Sequence, residues 1–472
     1  MRYAALAAAG ALLAGLPAAG ASEVAVPEDS RTHLAVTVYG NQLALVQDRR
    51  RIVLDTGEQS LSFTGVSRQV IPSSAFVAAT EGVRVLSLEH RFDLLTPEAL
   101  LRRSLGREVG VVRTHPTDGT ETVEPAEVLS VEAGVVLRYR DRIETGVPGR
   151  LVFDAVPEGL TPTPALVATV ATDEAAEREL DLVYLTNGLS WQADYVLELD
   201  DDTGRLTLTG FATVHNVSGT SLPGASLALM AGDVRRVSPP GMPPMPTARN
   251  AAVMAMEAAP DAMEREAIAD LHLYTVAEPV TLADLETRQL ALLSAADVPF
   301  TRSYVSESRP SVMRPVRRDA AEDHPEVRIN FDNDPETGPG EPLPAGIVRV
   351  FGRDAGDALR FLGEQQIAQV PVGRSVELAP GRAFDITVSR VQTEFTRAGL
   401  ADDAFESAHR ITVGNGKDQA VTVTVVELMT GDWTILAESA PHTKTAADRA
   451  EWSIEVPAQG EATVTYRVRV RR

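Results

Sequence analysis

Four side chains stand where contact chemistry could arise. Trp191 and Tyr195 open one predicted strand, and His272 and Tyr274 alternate along another. Indole and phenol rings bind sugars and peptides well, because an apolar face carries a polar tip. A core role fits the same residues, since with only 3 Trp in the chain a Trp at the head of a strand serves well as an inward anchor. His272 and Tyr274, two positions apart, share one face of their strand and read as a structural pair or as an acid–base pair. Trp191, Tyr195, His272 and Tyr274 are the candidate binding residues. No catalytic residue is assigned.

Stronger signatures are missing. The sequence has no phosphate loop, no H-E-x-x-H zinc helix, no G-x-S-x-G elbow and no Cys. Its 8 His are scattered singly, so a zinc site would need distant strands to converge. Asp332-Asn333-Asp334-Pro335-Glu336 offers alternating oxygens, but it breaks EF-hand spacing and reads as an acidic turn. Asp200-Asp201-Asp202 reads the same way. No metal or cofactor is implied. Five methionines (Met242, Met245, Met254, Met256 and Met263) lie in a Pro-rich excursion that reads as a loop, an adaptable contact surface or thioether ligands for Cu(I).

The elements that must position these groups are strands. Leu34, Val36 and Val38, then Leu43 and Leu45, then Ile52 and Leu54 alternate between turn dipeptides, which predicts an antiparallel meander. Thr96, Pro97 and Gly106 bracket a short helix from Pro97 to Leu105 as cap, first-turn residue and stop. Five short strands within about 106–155 predict a small SH3- or Sm-like barrel. A further short helix is placed from Asp261 to Ala269.

The expected fold is mainly β: several antiparallel domains, including two immunoglobulin-like sandwich modules, the small barrel and few short helices. The expected organisation is a signal peptide over 1–21, an N-terminal β domain over 22–165, a central sandwich over 166–399 and a C-terminal sandwich over 400–472. Loops at 238–266 and 306–325 are expected to be mobile. An internal repeat supports paired modules, since sliding residues 213–233 onto 412–432 needs no gap and gives 7 identities in 21 positions. Asn216 falls on Asn415, and the Gly232-Asp233 exit falls on Gly431-Asp432. Both Asp residues are expected to fix turns through side-chain bonds to backbone.

The run Tyr184-Leu185-Thr186-Asn187-Gly188-Leu189-Ser190-Trp191-Gln192-Ala193-Asp194-Tyr195 resembles the bacterial family called domain of unknown function 4139. Leu271-His272-Leu273-Tyr274, Leu343-Pro344-Ala345-Gly346 and Gly431-Asp432-Trp433 carry the resemblance over about 165–472. Residues 34–155 are similar to the N-terminal part of exported members. A related branch, the mucoidy-inhibitor-like proteins, carries a long coiled coil for which this chain has no heptad run. The resemblance implies fold and compartment but no activity.

Charge and targeting narrow the class further. Asp and Glu outnumber Lys and Arg by 66 to 44, a formal net charge of −22, which argues against a nucleic-acid or anionic-membrane partner. Arg2, an apolar run from Ala4 to Leu16 and Ala19-Gly20-Ala21 predict an export signal cleaved after Ala21, hence a periplasmic protein. No later stretch is apolar enough to span a membrane. The expected function is a non-enzymatic interaction or assembly module of the cell envelope, with a protein or glycan partner. The alternative is a hydrolase or carbohydrate-active protein whose carboxylates converge only in the fold. Oligomeric state is left open.

Overall fold

The computed structural model describes residues 23–78, 81–132, 134–147, 149–157, 160–232, 234–235, 263–268, 271–316, 322–397 and 404–471. Residues 1–21, where the sequence predicts a signal peptide, Asp233 and most of the excursion 238–266 lie outside them. The described chain is mainly β, in antiparallel sheets with a few parallel pairs, and holds one α-helix. That helix, Pro97–Arg103, starts as its cap predicts, with the Ala99 N–H donating to Thr96 Oγ1 at 3.1 Å.

Two compact units share the sequence unevenly. One gathers residues up to 190 with 215–229 and 278–287; the other holds 191–214, 230–277 and 288–472.

In the first unit, Leu43–Leu54 pairs with Arg31–Tyr39 on one side and Ala176–Asn187 on the other, from Leu43↔Asn187 to Leu54↔Ala176. Alternate positions of Leu43–Leu54 are buried, as period-two patterning requires. Ala165–Thr172 lies between Gly57–Thr64 and Val83–Arg91 and is buried at nearly every position, the mark of a strand covered on both faces. Strands Glu108–Thr114, Glu121–Ser130, Val136–Arg138, Ile143–Thr145 and Arg150–Val152 form one five-stranded sheet. It packs over its own small core of Val109, Val111, Ala126, Val128, Leu137 and Tyr139.

Under the sheet of the first unit lies an ion cluster. Asp48 and Arg50 are both fully buried. Arg31 and Arg50 each donate two hydrogen bonds to the Asp48 carboxylate, and Arg50 also reaches the carbonyls of Val26 and Thr64 at 2.7 Å. Burial alone would raise the Asp48 pKa, but the two guanidiniums outweigh it and hold the carboxyl below its ordinary value.

Strand Leu189–Asp200, which enters the second unit at Trp191, lies between Arg205–Asn216 and Gly346–Arg353, the latter parallel from Ala193↔Gly346 to Leu199↔Gly352. Gly346 is required there, because a Cβ would stand 2.2 Å from the Ala193 carbonyl oxygen. Farther along the chain, a six-stranded and a five-stranded sheet enclose one core that includes Val312, Val388, Val413, Val423, Trp452 and Val468. This is a sandwich.

Two expectations differ from the structure, and one stretch expected to be a loop makes contacts of its own. The helix placed over Asp261 to Ala269 is a strand, Glu264–Ile268, paired with Leu271–Thr275; a hairpin partner that begins only three positions after Ile268 overrides weak helix propensity. The described part of 306–325 is built in. Val312 enters the core, Gln392 bonds the Ser311 and Arg314 carbonyls, and Glu322–Asp323 pairs with Val388–Ser389. Asp432 instead opens strand Asp432–Glu438 opposite Arg471, while Gly431, at φ +79°, makes the turn.

Candidate functional site

The run around Trp191 folds as a hairpin arm whose alternate residues face inward. Trp191, Tyr195 and Tyr274 are all buried. Each spends its polar tip on a backbone carbonyl: Trp191 Nε1 donates to Met230 O at 3.1 Å, Tyr195 OH to Pro344 O at 2.8 Å and Tyr274 OH to Pro342 O at 2.9 Å. The rings of Trp191 and Tyr274 lie 6.3 Å apart. Burial raises both phenols, Tyr274 to about 12 and Tyr195 further. Both therefore stay protonated donors.

These donors anchor the turn Pro342-Leu343-Pro344. Leu343 and Val370 exchange backbone hydrogen bonds of 2.9 Å each, so the turn is clamped against Gln369–Pro371. Between the two segments lies a recess of about 220 Å³, lined also by Ala231, His272 and Tyr274. The sequence placed His272 and Tyr274 on one face, and both line this cavity. His272 Nδ1 is buried without a hydrogen-bond partner. Of the four candidate residues, then, two line the cavity while Trp191 and Tyr195 support it from within the core.

Asp194, next to Tyr195, is also nearly buried. Arg349 donates to its Oδ1 at 2.9 Å and Thr213 to its Oδ2 at 2.7 Å, which makes it a structural carboxylate.

The model of a domain of unknown function, DUF4139, matches residues 180–472. The chain belongs to this family. The DUF4139 match takes in every residue of the cavity and its supports. No curated protein matches the chain.

The DUF4139 region holds a second polar cluster that sequence reasoning missed. His409 Nε2 lies 3.0 Å from Ser407 Oγ, and its ring stacks on Tyr466 with centroids 5.0 Å apart. Tyr466 OH donates to Glu427 Oε2 at 3.1 Å, and Arg390 Nε donates to Glu427 Oε1 at 2.7 Å. Burial pushes His409 down to about 4 and raises Glu427 despite the pull of Arg390. Tyr466 also stacks on Trp452, at 4.9 Å. The available signal was phase: Ser407 and His409 alternate with Ile411 and Val413 on one core-facing side.

The acidic turn at 332–336 spends its oxygens locally. Asp334 Oδ1 accepts the backbone N–H groups of Glu336 and Thr337, and these bonds lower its pKa. Ser375 Oγ donates to Asp332 Oδ1 at 2.6 Å. Among the described residues no group of three or more His, Cys, Asp or Glu is placed to hold a metal ion.

Proposed function

We propose that this protein is exported to the periplasm and serves there as a non-enzymatic interaction or assembly module of the cell envelope. One observation carries the reading. The polar tips of Trp191, Tyr195 and Tyr274 are spent on the carbonyls of Met230, Pro344 and Pro342, so these three rings brace the backbone and keep no free polar tip for chemistry. Asp194, the carboxylate nearest Trp191 in sequence, is likewise engaged by Arg349 and Thr213. The leader-like pattern of residues 1–21 supports export. No helix among the described residues is long and apolar enough to cross a membrane.

Two measurements test this. Fractionation followed by intact mass should find a periplasmic chain beginning at Ser22; a cytoplasmic chain retaining residues 1–21 overturns the export reading. A photo-crosslinking amino acid at the exposed Gln369 should capture one reproducible, roughly stoichiometric envelope protein in cells. A clean monomer at every crosslinking level overturns the module reading.

A further inference from the structure

A strand at the end of a sheet leaves a row of N–H and C=O groups unpaired, a template for another chain, and folded proteins guard such edges. Among the described residues nearly every end strand is guarded. Val83–Arg91, Leu359–Ile367 and Asp432–Glu438 each carry a bulge, with Leu86, Leu362 or Leu436 as the extra residue. Arg374–Arg382 holds Pro380, and Gln365 covers part of its edge, accepting from the Ala379 N–H at 2.7 Å and donating to the Glu377 carbonyl. All other end strands but one run to five residues at most.

The exception is Glu286–Pro299. It ends its five-stranded sheet beside Arg205–Asn216 and, at 14 residues, is the longest strand described. From Gln289 to Ala296 it has no charged residue and no proline, the usual guards of an edge. Leu292 and Leu293 are buried, so both faces of its middle are already covered, while Gln289, Ser294, Ala296 and Asp297 are exposed. What this strand has left to offer is its backbone edge.

The ends of the uncharged run select the occupant. Arg288 precedes the run and Asp297 follows it. An antiparallel second copy centred on Leu293 sets Asp297 of each chain level with Gln289 of the other and beside Arg288. Each carboxylate then meets an amide and a guanidinium, and the two-fold axis repeats the contact. The same register sets Leu290 opposite Ala296, Ala291 opposite Ala295 and Leu292 opposite Ser294, so bulky side chains meet small ones. The net charge of −22 opposes self-association, but at physiological salt exposed charges more than about 8 Å apart are largely screened.

We infer that two copies of this chain join through this edge, Glu286–Pro299 pairing antiparallel with its counterpart so that the two five-stranded sheets run on as one. Such a dimer forms whether or not the chain is an envelope module.

Sedimentation equilibrium of the full chain, over roughly a thousandfold range of concentration, should show a monomer–dimer equilibrium. Two substitutions at Gln289 should then move it in opposite directions. Gln289→Glu faces Asp297 with a like charge and should weaken the dimer about threefold to tenfold, and Gln289→Lys should tighten it by a similar factor. Ser294→Lys sets like charges on both sides of the two-fold axis and should weaken it about tenfold or more. Both positions are exposed, so each variant keeps its fold. A photo-crosslinking residue at Ser294 should join the chain to residues 289–297 of a second copy. A monomer at every concentration, a dimer indifferent to the charge at residue 289, or a Ser294 crosslink to a different protein overturns the inference.

Discussion

Asn216 and Asn415, 199 positions apart, make the same set of hydrogen bonds. Asn216 Nδ2 donates to the carbonyl four residues on, at Thr220, and to the successive carbonyls of Leu282 and Ala283. Asn415 Nδ2 donates to Gln419, again four residues on, and to the successive carbonyls of Val456 and Pro457. In each case Oδ1 accepts the N–H two residues on, from Ser218 or Lys417. The strand that follows pairs equivalently, Leu222 with Leu282 and Val421 with Val456. A third Asn joins them. Asn333 Nδ2 donates to Glu341 and to the successive carbonyls of Val370 and Pro371, with Leu343 bridging Val370. Here the turn is longer, and the residue two positions on is Pro335, which has no N–H. Asn333 Oδ1 is accordingly buried without a partner.

Asn216→Ala and Asn415→Ala should each destabilise the protein by about 2–4 kcal/mol, since buried carbonyls lose their donors. Asn415→Asp keeps the acceptor for Lys417 but loses the donors, so at neutral pH it should cost at least as much. Urea midpoints decide it. A loss below about 0.5 kcal/mol would show the asparagines to be incidental.

Asp48→Asn leaves Arg50 buried without its carboxylate partner, with only the carbonyls of Val26 and Thr64 to accept from it, and should cost about 3–5 kcal/mol. The pKa of Asp48 is lowered in the folded state, so its contribution is complete above the unfolded value of about 3.9 and is lost as pH falls through the folded one. Acid titration of stability should therefore steepen below about pH 4 in the wild type and be flatter in the variant. Parallel curves would refute the assignment.

His409 sits near pKa 4 when folded and near 6.5 when unfolded, so the unfolded chain binds the extra proton between those values. Stability from the neutral ring is present above about pH 6.5 and drains away as pH falls towards 4, on the order of 3 kcal/mol in all. The difference between wild type and His409→Phe should vary across that window, a comparison in which the Glu427 titration largely cancels. NMR provides the direct check: a ring titrating near 6.5 contradicts the burial argument.

Tyr195→Phe and Tyr274→Phe each strip a donor from a carbonyl of the Pro342–Pro344 turn and should cost about 1–2 kcal/mol. Hydrogen exchange at Leu343 and Val370 should quicken in both variants, because the clamp between them loses its brace. Unchanged exchange would mean that the turn holds itself.

Where physics is local, the sequence was legible. The alternation of Leu34, Val36 and Val38 lies in strand Arg31–Tyr39, and Thr96 caps its helix. The gapless slide of 199 residues found the Asn216 and Asn415 copies. It missed Asn333 because the extra turn residues break the register. Strand Leu359–Ile367 was invisible because most of its positions are exposed, leaving no alternation to read. Asp48 and Arg50 sit in a run of charged residues that looks solvated, and only the fold supplies Val26 and Thr64 as partners. The cavity unites residues near 231, 272, 343 and 370, a juxtaposition no spacing rule encodes. Its aromatic supports, by contrast, were named from residue type alone.

The division of the chain into two units has a bearing on time. The first unit takes residues 278–287, yet residues 191–214 and 230–277 belong to the second, so neither can be finished before the other is under way. At 5–20 residues per second, roughly 5–20 s separate the appearance of residue 190 from that of residue 287. Throughout that wait, the strands of the first unit stand without Leu282 and Ala283, the carbonyls that Asn216 requires. The boundary of the DUF4139 match is equally awkward as a place to cut. Residue 180 falls inside strand Ala176–Asn187, and the strand it pairs with, Leu43–Leu54, lies wholly upstream. A fragment beginning there would be released with one long edge bare, open to pairing with whatever strand it met first.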